Sequence, residues 1–135
     1  MRDTTTNHSA PGFRRNPTYH ITVKHFSGTV VIFFADAILA STSHAKVMRE
    51  QDHDPVYYIP FEDIYFSEFL KRSETRTYCP FKGHASHWTV TASDETAKDV
   101  LWSYEDPYAE MEAIRGYGAF YPSKVRVDVT PASKL

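Results

Sequence analysis

Residues 20–42, HITVKHFSGTVVIFFADAILAST, decide the fold class. From His20 to Phe26 the side chains alternate, and Ile21, Thr22 and Val23 are β-branched, so this stretch reads as a first strand. Ser27-Gly28 is a turn signal. Thr29 to Phe34 is apolar from Val30 onward, as expected of a strand covered on both faces. Asp36-Ala37 predicts a tight turn, and Ile38 to Thr42 returns as a third strand. Three strands so closely spaced, with no helical period between them, predict a β-rich domain.

Outward from this core the pattern continues. Ala45 to Glu50 reads as a short strand in preference to a helical turn, Gln51 to Pro55 as a polar loop, and Val56 to Ile59 as a short strand stopped by Pro60. The period then changes. Ile64, Phe66, Phe69 and Leu70 fall on one helical face, Asp63 suits a cap, and Lys71-Arg72 suit a C-terminus, which predicts one short helix near 62–72. Residues 75–83 read as a loop. Ser86 to Ala92 and Lys98 to Tyr104 read as strands around Trp88, Val90, Val100 and Trp102. Helical turns over 108–115 should end at Gly116, with last strands at 118–121 and 124–129. Residues 1–17 are polar and hold Pro11, Gly12 and Pro17. They read as a flexible tail whose end, with Phe13 to Tyr19, is placed to lie across the domain. A single domain then covers 18–130, and 131–135 form a C-terminal tail. Many short strands with little helix predict a compact, mainly β barrel or two-sheet sandwich, and the pattern leaves that choice open.

Composition narrows the functional classes. The 135 residues carry a formal net charge of −2 with no basic stripe, which argues against a nucleic-acid partner. The longest apolar run, Val30 to Ala35, is far short of the roughly 20 residues of a membrane span. No apolar segment marks the first twenty residues as a secretory signal. Cys79 is the one cysteine, so no intrachain disulfide forms, which fits a reducing compartment and a cytoplasmic protein.

Five segments carry a resemblance: Pro17-Thr18-Tyr19-His20-Ile21, Tyr57 to Asp63, Ser73 to Trp88, Trp102 to Pro107, and Ile114 to Tyr121. Across about residues 17–129 the chain resembles the bacterial and fungal family catalogued as domain of unknown function 427. That resemblance implies a compact β-rich fold akin to the β-tent folds and implies no known reaction. A nucleotidyl-transfer label is sometimes attached to the family, but the chain has no Gly-rich phosphate loop of the expected kind. Two departures from the family pattern stand out. Ser41 occupies a position where an acid is common, and His44 one where arginine is common. Together they are read either as a retuned pocket or as the loss of one surface ion pair.

Among chemistry-bearing residues, Lys82 beside Gly83 is placed to hold an anionic ligand, or else to pair with Glu50 or Asp63 and pin its loop. His84 or His87, or His44 at the departed position, could move a proton. Glu50 is a candidate acid. Cys79 stands near Lys82 and His84 and is either an activated thiol or a small buried residue at a bend. Tyr58, Trp88, Trp102, Tyr104 and Tyr117 are candidates to enclose the apolar part of a substrate, against the plainer alternative of core packing. No metal is expected. The spacing of His84 and His87 straddles a loop-to-strand junction, and His20 and His25 lie on opposite strand faces, so three ligands do not converge. The resulting expectation is a small-molecule-binding protein doing cofactor-independent acid–base chemistry of isomerase, cyclase, lyase or hydrolase type. The alternative is a non-catalytic ligand sensor or a homo-oligomeric interaction module.

Overall fold

A computed structural model describes residues 8–133. Residues 1–7 of the expected N-terminal tail and residues 134–135 of the C-terminal one lie outside the described residues. The strands are β1 (Ile21–His25), β2 (Gly28–Phe34), β3 (Ala37–Thr42), β4 (Lys46–Glu50), β5 (Val56–Pro60), β6 (Leu70–Cys79), β7 (Gly83–Ala92), β8 (Glu95–Ser103), β9 (Tyr117–Phe120) and β10 (Arg126–Pro131). They form a seven-stranded sheet in the order β1-β4-β5-β9-β8-β7-β6 and a three-stranded sheet in the order β10-β2-β3. All the pairings are antiparallel. The sheets do not close into a barrel; they make a compact sandwich, which resolves the choice that the strand pattern left open.

The alternation of side chains explains both faces of the large sheet. One face shares a core with the small sheet, joining Val30, Ile32 and Leu39 to Ile59, Trp88, Val90, Val100 and Leu101. The opposite face carries Met48, Tyr58 and Ala119. Met111 and Ile114, from a 3-10 segment over Ala109–Ile114, cover it. That segment ends at Gly116, whose φ of 77° suits the left-handed turn expected there.

The large sheet has a short seam on each side of β9. The ladder between β5 and β9 holds only the pairs Ile59↔Gly118 and Pro60↔Tyr117. Val56, Tyr57 and Tyr58 pair with β4 along their other edge, and Phe120 and Ala119 pair with β8. Toward Val56 the β5–β9 ladder ends at Ile59, leaving a split between the two strands there. At the seam itself the fit is close: a Cβ on Gly118 would lie 2.8 Å from Leu101 Cδ1.

Four expectations need correction. The short helix near 62–72 is instead a 3-10 turn at Phe61–Asp63 and one α-turn at Phe66–Phe69, and Leu70 already belongs to β6. Leu70, Lys71 and Arg72 pair with Val90, Thr89 and Trp88. The periodic apolar residues were real core residues, but strand pairing with β7 outweighed a weak helical preference. The loop expected over 75–83 is likewise strand as far as Cys79. As a sheet edge β6 is protected by Lys71, Arg72, Glu74 and Arg76, charges that discourage further pairing. Finally, the N-terminal segment is not a loose tail where it is described. Pro11–Arg15 form α1, and Gly12 is buried. The Gly12 N–H donates to the Pro80 carbonyl at 2.9 Å, and the Ala10 N–H donates to Glu110 Oε1 at 2.9 Å. Pro131, assigned to the C-terminal tail, ends β10 opposite Gly28.

Candidate functional site

A cavity of about 330 Å³ opens on the face of the large sheet turned away from the small one. β4 places Met48 and Glu50 there, two residues apart and so on one side of the strand. β5 adds Val56 and Tyr58 by the same alternation. Thr77 and Cys79 come from β6, Trp102 from β8, and Tyr104 and Tyr121 from just beyond β8 and β9. The turn between β6 and β7 contributes Lys82. In that turn the Lys82 N–H donates to the Cys79 carbonyl at 3.2 Å, and the Lys82 carbonyl accepts from the Tyr108 N–H at 3.1 Å.

The polar end of the cavity is a connected network. Lys82 Nζ lies 2.7 Å from Glu50 Oε1, with side chains only 11% and 13% exposed. The Tyr19 hydroxyl donates to Glu50 Oε2 at 2.6 Å. His53 Nε2 stands 3.8 Å from the same oxygen. Burial works against ionisation of Glu50, but the hydrogen bonds from Lys82 and Tyr19 outweigh it, and the carboxyl is held below its usual value. The cost falls on Tyr19, whose hydroxyl is pushed up to about 12, first by its bond to Glu50 and then by burial. Burial also raises the Tyr58 and Tyr104 hydroxyls well above the ordinary tyrosine range. The walls are therefore neutral and aromatic, and the one charged pair is internally balanced.

Of the residues singled out in the sequence, this cavity gathers Glu50, Tyr58, Cys79, Lys82, Trp102 and Tyr104. It does not gather His44, His84, Trp88 or Tyr117. His84 is exposed and packs its ring 4.7 Å from that of Tyr78, because it faces away from Cys79 and Lys82 across the hairpin. His44 is exposed in the turn after β3, where its N–H donates to Thr42 Oγ1. Thr42 in turn donates to Asp63 at 2.7 Å. Asp63 thus anchors a turn and caps no helix. Ser41, the other departed position, is exposed on β3. Trp88 belongs to the core between the sheets, packed near Phe61 and Phe66 with the Arg72 guanidinium 4.7 Å above its ring. Tyr117 carries the Lys46 ammonium 4.4 Å over its ring.

Two residues at or beside the cavity stand outside the chemical candidates of the sequence. Tyr19 ends the stretch expected to lie across the domain, and it does, stacked on Phe81 at 4.3 Å with Phe13 of α1 edge-on to the same ring at 4.8 Å. His53 sits among the acids of a loop, within Asp52-His53-Asp54. Among the described residues no group of three or more His, Cys, Asp or Glu side chains is arranged to hold a metal ion. The Ser73 and Thr75 hydroxyls, from the most distinctive segment, both donate to Asp99 at 2.6 Å across a bulge in β6. Their role is structural.

His87 lies behind the cavity wall. It is 2% exposed, and its Nε2 is 3.0 Å from Thr77 Oγ1. Nδ1 is buried and, among the described residues, has no hydrogen-bond partner. Burial lowers the imidazole pKa, with Asp99 opposing the shift and Lys124 adding to it. A His held neutral in the fold but free to protonate when unfolded binds fewer protons in the native state. Its contribution to stability is therefore intact above 6.5, its usual value, and lost as the pH falls through the lower folded value. Urea unfolding between pH 7.5 and pH 5 should show stability falling on acidification, with a shallower fall in His87→Gln.

Among curated proteins, none matches the chain. No helix of the described residues is long and apolar enough to cross a membrane. Residues 22–131 match the family model described as domain of unknown function (DUF427), a span that contains both sheets, except Ile21, and all of the residues lining the cavity. The chain therefore belongs to the DUF427 family.

Proposed function

We propose that the chain is a cytoplasmic small-molecule-binding protein whose cavity supports acid–base chemistry on a small organic carbonyl compound without a cofactor. The observation that carries this is the convergence of Lys82, Glu50, Tyr58, Trp102 and Tyr104 on one concave site. Its volume of about 330 Å³ falls at the lower end of the range for ligand sites. The ligand is neutral at the reacting end, because the Lys82 charge is already matched by Glu50 at 2.7 Å. An anion would gain Lys82 and be repelled by Glu50. A carbonyl oxygen accepts from the remaining Lys82 N–H groups without that penalty.

In the reaction, Glu50 takes a proton from the carbon next to the carbonyl. The C–H electron pair becomes the enolate double bond, the oxygen takes the negative charge, and Lys82 stabilises it. Return of the proton to the same or another carbon completes an exchange or isomerisation. This moves the proton-transfer role from His84 and His44, which are remote, to Glu50.

A non-catalytic ligand sensor is favoured by a different observation. Glu50 is held below the usual carboxylate range, and a weaker base removes protons less readily. An interaction module draws less support: the exposed large apolar side chains Ile38, Tyr65 and Tyr78 are scattered, with Ile38 on the small sheet and Tyr78 on the edge of the large one. The test incubates the protein with small ketones in D2O and follows the ketone by NMR. Binding with deuterium uptake next to the carbonyl, lost in Glu50→Gln, is the enzyme outcome. Binding without uptake leaves the sensor, and no binding of any small carbonyl compound overturns both.

A further inference from the structure

A second cavity, of about 320 Å³, lies on the other side of the same split between β5 and β9. It opens between the two sheets and is walled mainly by apolar groups, among them Ile32, Phe120, Val127 and Val129. Tyr57 lines it, whereas its neighbour Tyr58 lines the first cavity, as strand alternation requires for opposite faces of one sheet. Two residues line both cavities: Val56 and Trp102. Val56 lies on β5 past the end of its ladder with β9, and Trp102 pairs with Ala119, one residue past Gly118, so both side chains border the split from opposite sides of β9.

We infer that the two cavities are halves of one ligand site that passes through the split sheet at Trp102 and Val56. Resting on the ligand-binding reading above, this names the ligand class: an amphiphilic carbonyl compound with an unbranched or aryl tail. The carbonyl lies at Lys82 and Glu50. The tail runs along the face of Trp102 and ends against Val127 and Val129. The chemistry of the two halves argues for this occupant. The first holds the charged pair and the tyrosine hydroxyls. The second offers a single charged side chain, Asp54, among apolar walls. A fully polar ligand has no use for the second half, and a plain hydrocarbon leaves the Lys82 and Glu50 groups unanswered.

The experiment titrates the whole protein with 2-alkanones from acetone to 2-octanone and follows methyl resonances by NMR. Short members should shift the Met48 and Val56 methyls and leave Val127 and Val129 unmoved. Once the tail passes Trp102, Val127 and Val129 methyls should shift as well, and affinity should rise about threefold to fourfold per methylene. Val129→Trp, which fills the inter-sheet half, should flatten that rise while acetone and 2-butanone still bind. The methyl shifts of the unmodified protein decide the matter even where the variant folds poorly. If 2-octanone shifts Met48 but leaves Val127 and Val129 unmoved, the joined site is wrong while the first cavity stands. If no member shifts Met48, both readings fall.

Discussion

Glu50→Ala lowers the melting temperature by on the order of 10 °C, corresponding to about 2–3 kcal/mol. The reason is what it leaves behind. Lys82 is 11% exposed, and Glu50 Oε1 at 2.7 Å is the acceptor that compensates its burial. The Tyr19 hydroxyl loses its acceptor in the same step. Breaking a fully buried pair typically costs 3–5 kcal/mol, and the residual exposure of these two side chains reduces that figure. Replacing both partners, in Glu50→Gln with Lys82→Met, should restore much of the loss, since no uncompensated charge remains. Differential scanning calorimetry on the single and double variants measures this directly. The pH dependence gives an independent check. Glu50 is held below its usual value of 4.5, so its contribution is present above that value and lost as the pH falls through the folded one. That part of the acid-side decline should disappear in both variants. Equal stability of Glu50→Ala and the unmodified protein would show that the pair is not formed in solution.

The two tryptophans should separate cleanly. Trp88→Ala removes a ring that is 6% exposed and packed against Phe61, Phe66 and Arg72, and it should cost about 3–5 kcal/mol. Trp102 is only partly buried, 6.3 Å from Tyr58 and 4.4 Å from Tyr121 between ring centroids. Trp102→Ala should cost about half as much stability, since less of the ring is packed. It should abolish detectable binding of 2-octanone. Chemical denaturation gives the stabilities, and NMR titration below the unfolding temperature gives the binding. Trp88→Ala, measured where it is folded, should still bind short ketones. A larger loss of ketone affinity in Trp88→Ala than in Trp102→Ala would place the ligand between the sheets alone.

Strand identity was legible wherever alternation and turn chemistry agreed. Ile21 to His25, Gly28 to Phe34 and Ala37 to Thr42 emerge close to their expected bounds because Ser27-Gly28 and Asp36-Ala37 punctuate them. Leu70 to Cys79 was not legible. Its alternation is diluted by the bulge at Ser73–Thr75, and its face is largely exposed, so the local pattern resembled a helix end followed by a loop. The site was legible in residue types but not in grouping. Lys82, Glu50, Trp102 and Tyr104 were recognised one at a time as chemically capable. Their meeting depends on the large sheet curling until the end of β4 faces the β6–β7 turn, although three strands lie between β4 and β7. Distance along the chain gives no hint of that. His84 stands close to Lys82 in sequence, but Lys82 sits in the β6–β7 turn while His84 is on β7 opposite Tyr78, exposed and outside the cavity. Tyr19 lay beyond reach for another reason: its place depends on Phe81, more than sixty positions away, being held between Phe13 and Tyr19.

The seam at Ile59 and Gly118 divides the large sheet into a three-stranded panel, β1-β4-β5, and a four-stranded panel, β9-β8-β7-β6, stitched by two residue pairs. Val56 and Tyr58 ride on one panel, and Trp102 and Tyr121 on or beside the other. Each cavity is therefore walled from both panels at once. Gly118 and Leu101 stand on the same panel, so a methyl group added at Gly118 pushes Leu101 Cδ1 aside within the core beneath β8 and β9 and leaves the stitch itself in place.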